Sequence, residues 1–233
     1  GCRLAFVAVR PDAPARLVLW TAEGRRVESA PLPALGAFPF VDGVPMRDLV
    51  PQVALTLGPG GEVAACRGST VLVFDAQLDV EALELPGDGA RCAALGHDET
   101  GALLVSFAAR HEDGWPFPAL ARREGGAWQT LELPEVFSQP VRSISTTEGG
   151  VVLGGSSRPP GFARLEADGA TRWRPLSSAT DLGADARGAP RGAVVVELAG
   201  PRPAPAYLRY DLVTGGVAPV PHPPGVAPGQ RLG

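Results

Sequence analysis

Five arginines stand at the ends of apolar runs just before turns: Arg10 in VAVRPDAP, Arg67 in AACRGST, Arg110 in FAARHEDG, Arg158 in GSSRPPGF and Arg202 in LAGPRPAP. A guanidinium is a planar fork of donors that matches a carboxylate or a phosphate. Five of them on one rim would face an anionic ligand or an acidic peptide. Near them in the chain stand Phe38, Phe40, Val44 and Met46 in ALGAFPFVDGVPMRDLVP, Trp115 and Phe117 in RHEDGWPFP, and Phe137. Aromatics and methionine beside arginine are the composition of interface hot spots, and the chain has only 8 Phe, 4 Trp and 2 Tyr to spend. Both sets also have a structural reading. A residue that recurs in every unit meets a requirement of the fold, here the ending of a strand against a carboxylate or loop carbonyl, and the rings would cap the ends of the units as a small apolar cluster.

The arginine positions recur roughly every 40 to 60 residues, a period that belongs to one supersecondary unit used repeatedly. Each unit reads as hairpins. One series runs 16–33, 70–86, 118–134, 162–177 and 207–223, and a second lies upstream of its last four members at 52–67, 91–110, 141–158 and 184–202. The turns of the second series carry Gly60-Gly61, Gly101, Gly149-Gly150 and Gly188, which supply the positive φ that hairpin turns require. Two hairpins per unit make four antiparallel strands with no room for a helix, which predicts an all-β fold, a β-propeller of five blades. The expected blades are 1–34, 48–86, 90–134, 140–177 and 181–223, forming a single domain over 1–233. Blade 1 lacks its inner strand, and residues 224–233, with VAPGQRL at 226–232, are expected to supply it and close the ring. Pro228 and Gly229 count against that strand, and the other reading makes this chain a segment of a longer propeller.

In a propeller the loops between second and third strands share a face with the connections between blades. That puts all five arginines on one rim, with Arg47, Arg91 and Arg142 entering from the inter-blade connections. The segment GGVVLGGSSRPPGFARLEADGATRW, Gly149 to Trp173, resembles the GG…GGS…G…L-D/E-x-D-G-x-x-W repeat of bacterial β-propeller proteins, the broad group with PQQ-like and delta-60-type repeats. Blades 1 and 3 keep fragments of it around Gly24 and around Gly125, Gly126 and Trp128. The resemblance implies the fold and carries no catalytic residue across, because such repeats serve unrelated roles.

Catalysis by a propeller glycosidase needs carboxylates converging on the channel from different inner strands. Asp181 and Asp185 come from one blade, and Asp48 lies near the entrance. His97-Asp98-Glu99 offers donors for a cation, but Asp98-Glu99-Thr100-Gly101 reads as a turn that satisfies its own backbone, and His111 falls on the opposite face. No catalytic residue, metal site or cofactor is therefore expected. All 21 basic residues are arginine and the net charge is −4, without a basic block, so nucleic acid is not an expected partner. No run of 18 apolar residues spans a membrane. The 3 cysteines, Cys2, Cys66 and Cys92, read as free thiols packed as small hydrophobes, with a Cys66–Cys92 bridge between blades 2 and 3 the alternative. Gly1-Cys2 has the form of a lipoprotein junction, although Cys2 also reads as the start of a strand. The expected compartment is periplasmic or extracellular. The expected function is a non-catalytic recognition or scaffold propeller that holds a protein or peptide through Arg10, Arg67, Arg110, Arg158, Arg202, Phe38, Phe40, Trp115 and Phe117. The alternative is a propeller-type glycan hydrolase or lyase.

Overall fold

The computed structural model describes residues 4–10, 13–21, 23–35, 40–41, 44–45, 53–75, 77–110, 114, 116–147, 150–155, 161–175, 183–189, 193–199 and 206–220. Blade 1 is the three-stranded sheet β1 (Leu4–Arg10), β2 (Ala13–Trp20) and β3 (Arg26–Glu28). A short ribbon, β4 (Phe40–Val41) with β5 (Val44–Pro45), lies in the connection that follows. Blade 2 is β6 (Ala54–Leu57), β7 (Val63–Arg67), β8 (Thr70–Phe74) and β9 (Val80–Glu84), and blade 3 is β10 (Arg91–His97), β11 (Leu103–Arg110), β12 (Pro116–Glu124) and β13 (Ala127–Leu131). Blade 4 is β14 (Ser143–Thr147), β15 (Gly150–Gly154), β16 (Gly161–Leu165) and β17 (Thr171–Pro175). Blade 5 is β18 (Gly183–Ala189), β19 (Ala193–Ala199), β20 (Ala206–Asp211) and β21 (Val217–Val220). Every sheet is an antiparallel meander in chain order. The proposed closing segment, 224–233, lies outside the described residues.

The middle strands are apolar at successive positions because both faces of each sheet are covered. In blade 2, Ala64, Cys66 and Val71 pack toward blade 3, while Val63, Ala65, Leu72 and Phe74 pack toward blade 1. In blade 3, Val105 and Phe107 face blade 2, whereas Leu104 and Leu120 face blade 4. In blade 4, Val151 and Leu153 turn back to blade 3, and Val152 and Phe162 meet Val194 of blade 5. The two-residue alternation of a strand thus feeds two separate interfaces, and each fully buried Leu or Phe contributes roughly 1.5–3 kcal/mol. The inner strands β6, β10, β14 and β18 pack against one another in that order, which is the radial arrangement of a β-propeller. Strands at the outer edge stay polar and largely exposed, as in β3 and β9.

One turn design serves several hairpins. The first residue accepts from the fourth and donates to the fifth at Thr21–Arg25, Gly58–Glu62, Asp75–Asp79, Asp98–Ala102 and Glu166–Ala170. The fourth residue then needs positive φ, and Gly101 takes it at +87° at no steric cost. Leu78 takes the same place at +66°, a conformation costly for a branched side chain, while packing against the blade 1–blade 2 cluster. Gly96 answers a different need: a Cβ there would run into the Ile144 side chain and come 2.9 Å from its carbonyl oxygen, so the glycine lets β10 lie close against β14.

Blades are also tied by polar groups. Trp128 Nε1 donates to the Glu84 carbonyl at 2.9 Å, Thr171 Oγ1 to the Glu132 carbonyl at 2.6 Å, and the Cys92 amide to the Gly68 carbonyl at 2.7 Å. Cys66 and Cys92 form a disulfide across blades 2 and 3, with Cα atoms 6.2 Å apart and a sequence separation of 26. This corrects the expectation of free thiols. The strand-period reasoning placed each cysteine in its own blade, and the inter-blade contact between Cys92 and Gly68 brings the two side chains together. Under denaturing, non-reducing conditions a thiol reagent should find two fewer reactive groups than the 3 cysteines present. Cys92→Ser should lower unfolding free energy by about 2–4 kcal/mol in a denaturant titration. Full reactivity of every cysteine in protein made under oxidising conditions would contradict the bridge.

Candidate functional site

The arginines at the ends of second strands occupy equivalent positions along the sheets. Arg67 pairs opposite Thr70 and Arg110 opposite Pro116, each where the chain turns from second to third strand, and Arg10 pairs opposite Ala13 at the corresponding turn from β1 to β2 of the three-stranded blade 1. Their chemistry differs. The Arg67 guanidinium donates to the Leu35 carbonyl in the connection leaving blade 1, which ties two blades together. Arg110 is exposed, makes no ion pair among the described residues, and extends past Gly89, where a Cβ would sit 3.4 Å from its Cδ. Arg91 and Arg142 are exposed on the same face, the latter donating to Gln139 Oε1 at 2.9 Å.

Of the aromatics, Phe117 pairs opposite Ala109 and is half-buried against the cluster that holds the disulfide. Phe40 sits in the β4–β5 ribbon opposite Pro45. Phe137 is buried at 3% exposure, edge-to-face with Trp173 at 5.6 Å, so it serves the core between blades 3 and 4. Arg158, Arg202, Phe38 and Trp115 lie outside the described residues, as do Asp48, Asp181, His111 and His222; Asp185 lies in β18, opposite Glu197.

The opposite face carries a constellation that sequence reasoning missed. His97 is the last residue of β10, buried at 6% exposure, and not a member of the turn. Its Nδ1 lies 3.4 Å from Thr56 Oγ1 of blade 2, its Nε2 lies 3.8 Å from Glu62, and its carbonyl accepts from Thr146 Oγ1 of blade 4 at 2.5 Å. These partners are 41 and 49 residues away for the two threonines, so only the radial stacking of inner strands assembles them. Ends of β6, β10 and β14 bound a cavity of about 410 Å³ lined by Thr56, Leu57, His97, Glu99, Ile144 and Thr146 among others. A second cavity, of about 300 Å³, lies on the other side of His97 against Glu62 and Arg123.

Asp98 beside it is fully committed. Its Oδ1 accepts from the amides of Thr100 and Ala102 and from Thr100 Oγ1 at 2.7–2.9 Å, and Oδ2 meets Arg122 at 2.7 Å. This is the self-satisfying turn of the Asp-x-Thr-Gly reading. Burial holds the His97 imidazole below its ordinary value, loss of hydration outweighing the pull of the Glu62 and Asp98 carboxylates. The ring is therefore neutral at physiological pH, with one nitrogen carrying the proton and the other an acceptor.

No family model matches the chain, and no curated protein matches it. Solved structures do. The β-propeller domain of the Trilobed protease from Pyrococcus furiosus aligns at a TM-score of 0.66 with 12% identity, over 95% of this chain and 66% of that one. A puromycin hydrolase in complex with PGG aligns at 0.59 with 19% identity, over 94% of this chain and 37% of its own. A puromycin-hydrolyzing peptidase of Mycobacterium tuberculosis aligns at 0.54 with 18% identity, over 93% and 37%. At these identities the likeness is one of fold, and with the sheet arrangement it makes this chain a β-propeller.

The unfolded chain titrates His97 at about 6.5, above its folded value, so on acidification the unfolded state takes up the proton first and stability falls through that window. The melting temperature should drop between pH 7 and pH 5, and drop less in His97→Gln. An NMR titration placing the His97 midpoint above 6.5 would contradict the burial argument.

Proposed function

We propose that the chain is a non-catalytic recognition module, holding a protein or peptide partner through the face where second-to-third strand loops meet the connections between blades. The observation that carries this reading is the contrast between Arg67 and Arg110. One guanidinium is spent on the fold; the other, at the equivalent position, is exposed with no carboxylate of its own among the described residues. An uncommitted donor fork beside exposed Arg91 and Arg142 matches an acidic peptide or phosphorylated segment better than a neutral one. Arg10, Arg158, Arg202, Phe38, Phe40, Trp115 and Phe117 complete the proposed surface, with the rings as apolar anchors.

The Trilobed protease supports the reading in one respect, since its propeller is a domain of a larger protein. The repeat itself we read as PQQ-like or delta-60-type, on the segment Gly149 to Trp173. The periplasm or cell exterior is the proposed compartment, supported by a disulfide between blades, because such bridges persist where the surroundings are oxidising.

A fluorescence-anisotropy screen of acidic and phosphorylated peptides tests the proposal. Reversing charge with Arg91→Glu and Arg110→Glu together should weaken the best binders by about tenfold or more, whereas Arg25→Glu in the β2–β3 turn should leave them unchanged. Binders that tolerate the double reversal would overturn it.

A further inference from the structure

We propose that the cavity at the ends of β6, β10 and β14 is a binding site for a small organic ammonium ion, a primary amine attached to an apolar group. The site lies on the turn face, away from the arginine rim, and is independent of the peptide-binding reading. The argument begins with shape. An open cleft of about 410 Å³ bounded by three successive blades is within the range of small-molecule sites.

The polar groups facing it are acceptors. Glu99 is exposed at the rim and forms no ion pair among the described residues. Thr146 has spent its hydroxyl proton on the His97 carbonyl, which leaves the oxygen lone pairs. Thr56 Oγ1 adds a further lone-pair site, and His97, being neutral, adds no repelling charge. Leu57 and Ile144 supply the apolar wall.

Other ligand classes fit less well. Among the described lining residues there is no arginine, so an anion would meet the Glu99 carboxylate with nothing to offset it. Among the same described lining residues there is no Phe, Tyr or Trp to stack on a sugar ring. Among the described residues no three His, Cys, Asp or Glu side chains converge for a metal ion, and both Asp98 oxygens are bound to the turn and to Arg122. The surrounding field points the same way. Asp75, Asp79, Asp168 and Asp211 occupy turns on this face against one turn arginine, Arg25, while Arg122 and Arg123 are neutralised by Asp98 and Glu81. Such a field raises the local concentration of cations.

The test uses benzylamine as the probe, titrated into the isotope-labelled full chain at pH 7.5 and followed by amide NMR, with benzyl alcohol and benzoate as matched neutral and anionic arms. Saturable shifts at Thr56, His97 and Thr146 with benzylamine are expected, at least about fivefold weaker with benzyl alcohol and absent with benzoate. Glu99→Gln, at an exposed position, should weaken benzylamine about fivefold without changing the melting temperature. Thr56→Val serves as the second variant and should weaken it as well. Equal response to amine and alcohol, shifts scattered away from the cavity, or unchanged affinity in both variants would overturn the proposal.

Discussion

The sheets of blades 2, 3 and 4 each have two apolar faces, so none of these blades can bury its own core alone. The stable solution is to stand neighbouring sheets face to face, which forces a radial stack and brings the inner strands together around an axis. Every other feature follows from that requirement. The outer strands are largely exposed because nothing covers the rim, and the inner strands meet because the faces behind them are packed.

The same constraint sorts the chemistry onto two ends. Turns that return the chain within a blade favour aspartate and glycine for their backbone geometry, which makes one face acid-rich as a by-product. Strand ends at the other face carry arginine, part of which is used to hold carbonyls of the preceding blade. The two proposed sites draw on these side chains, arginine at one end and carboxylate at the other.

Much of the architecture was legible because its causes are local. Apolar runs and αL glycines such as Gly101 mark hairpins within a dozen residues, and their recurrence marks the blades. What depended on contacts between blades was not. For Cys66 and Cys92 free thiols read ahead of a bridge because the pairing comes from a neighbouring strand, and for Phe137 an interface ring and an apolar cap read alike until its contact with Trp173 of blade 4 decides for the cap. His97 was assigned to a turn, one residue short of its place at the end of β10, and the threonines that flank it lie a full blade away on either side. The β4–β5 ribbon inside the first connection left only the Val-Asp-Gly-Val sequence as a cue.

Face-to-face packing of consecutive sheets is the claim on which both sites rest, and a double-mutant cycle addresses it directly. Phe162 of blade 4 and Tyr210 of blade 5 meet edge-to-face with ring centroids 5.4 Å apart. With Phe162→Leu and Tyr210→Leu, the account predicts a coupling energy of about 0.5–1.5 kcal/mol for this pair. It predicts a value within about 0.5 kcal/mol of zero for Phe162 combined with Leu17→Ala in the blade 1–blade 2 cluster. Additive behaviour of Phe162 and Tyr210 would contradict the stacking of adjacent blades.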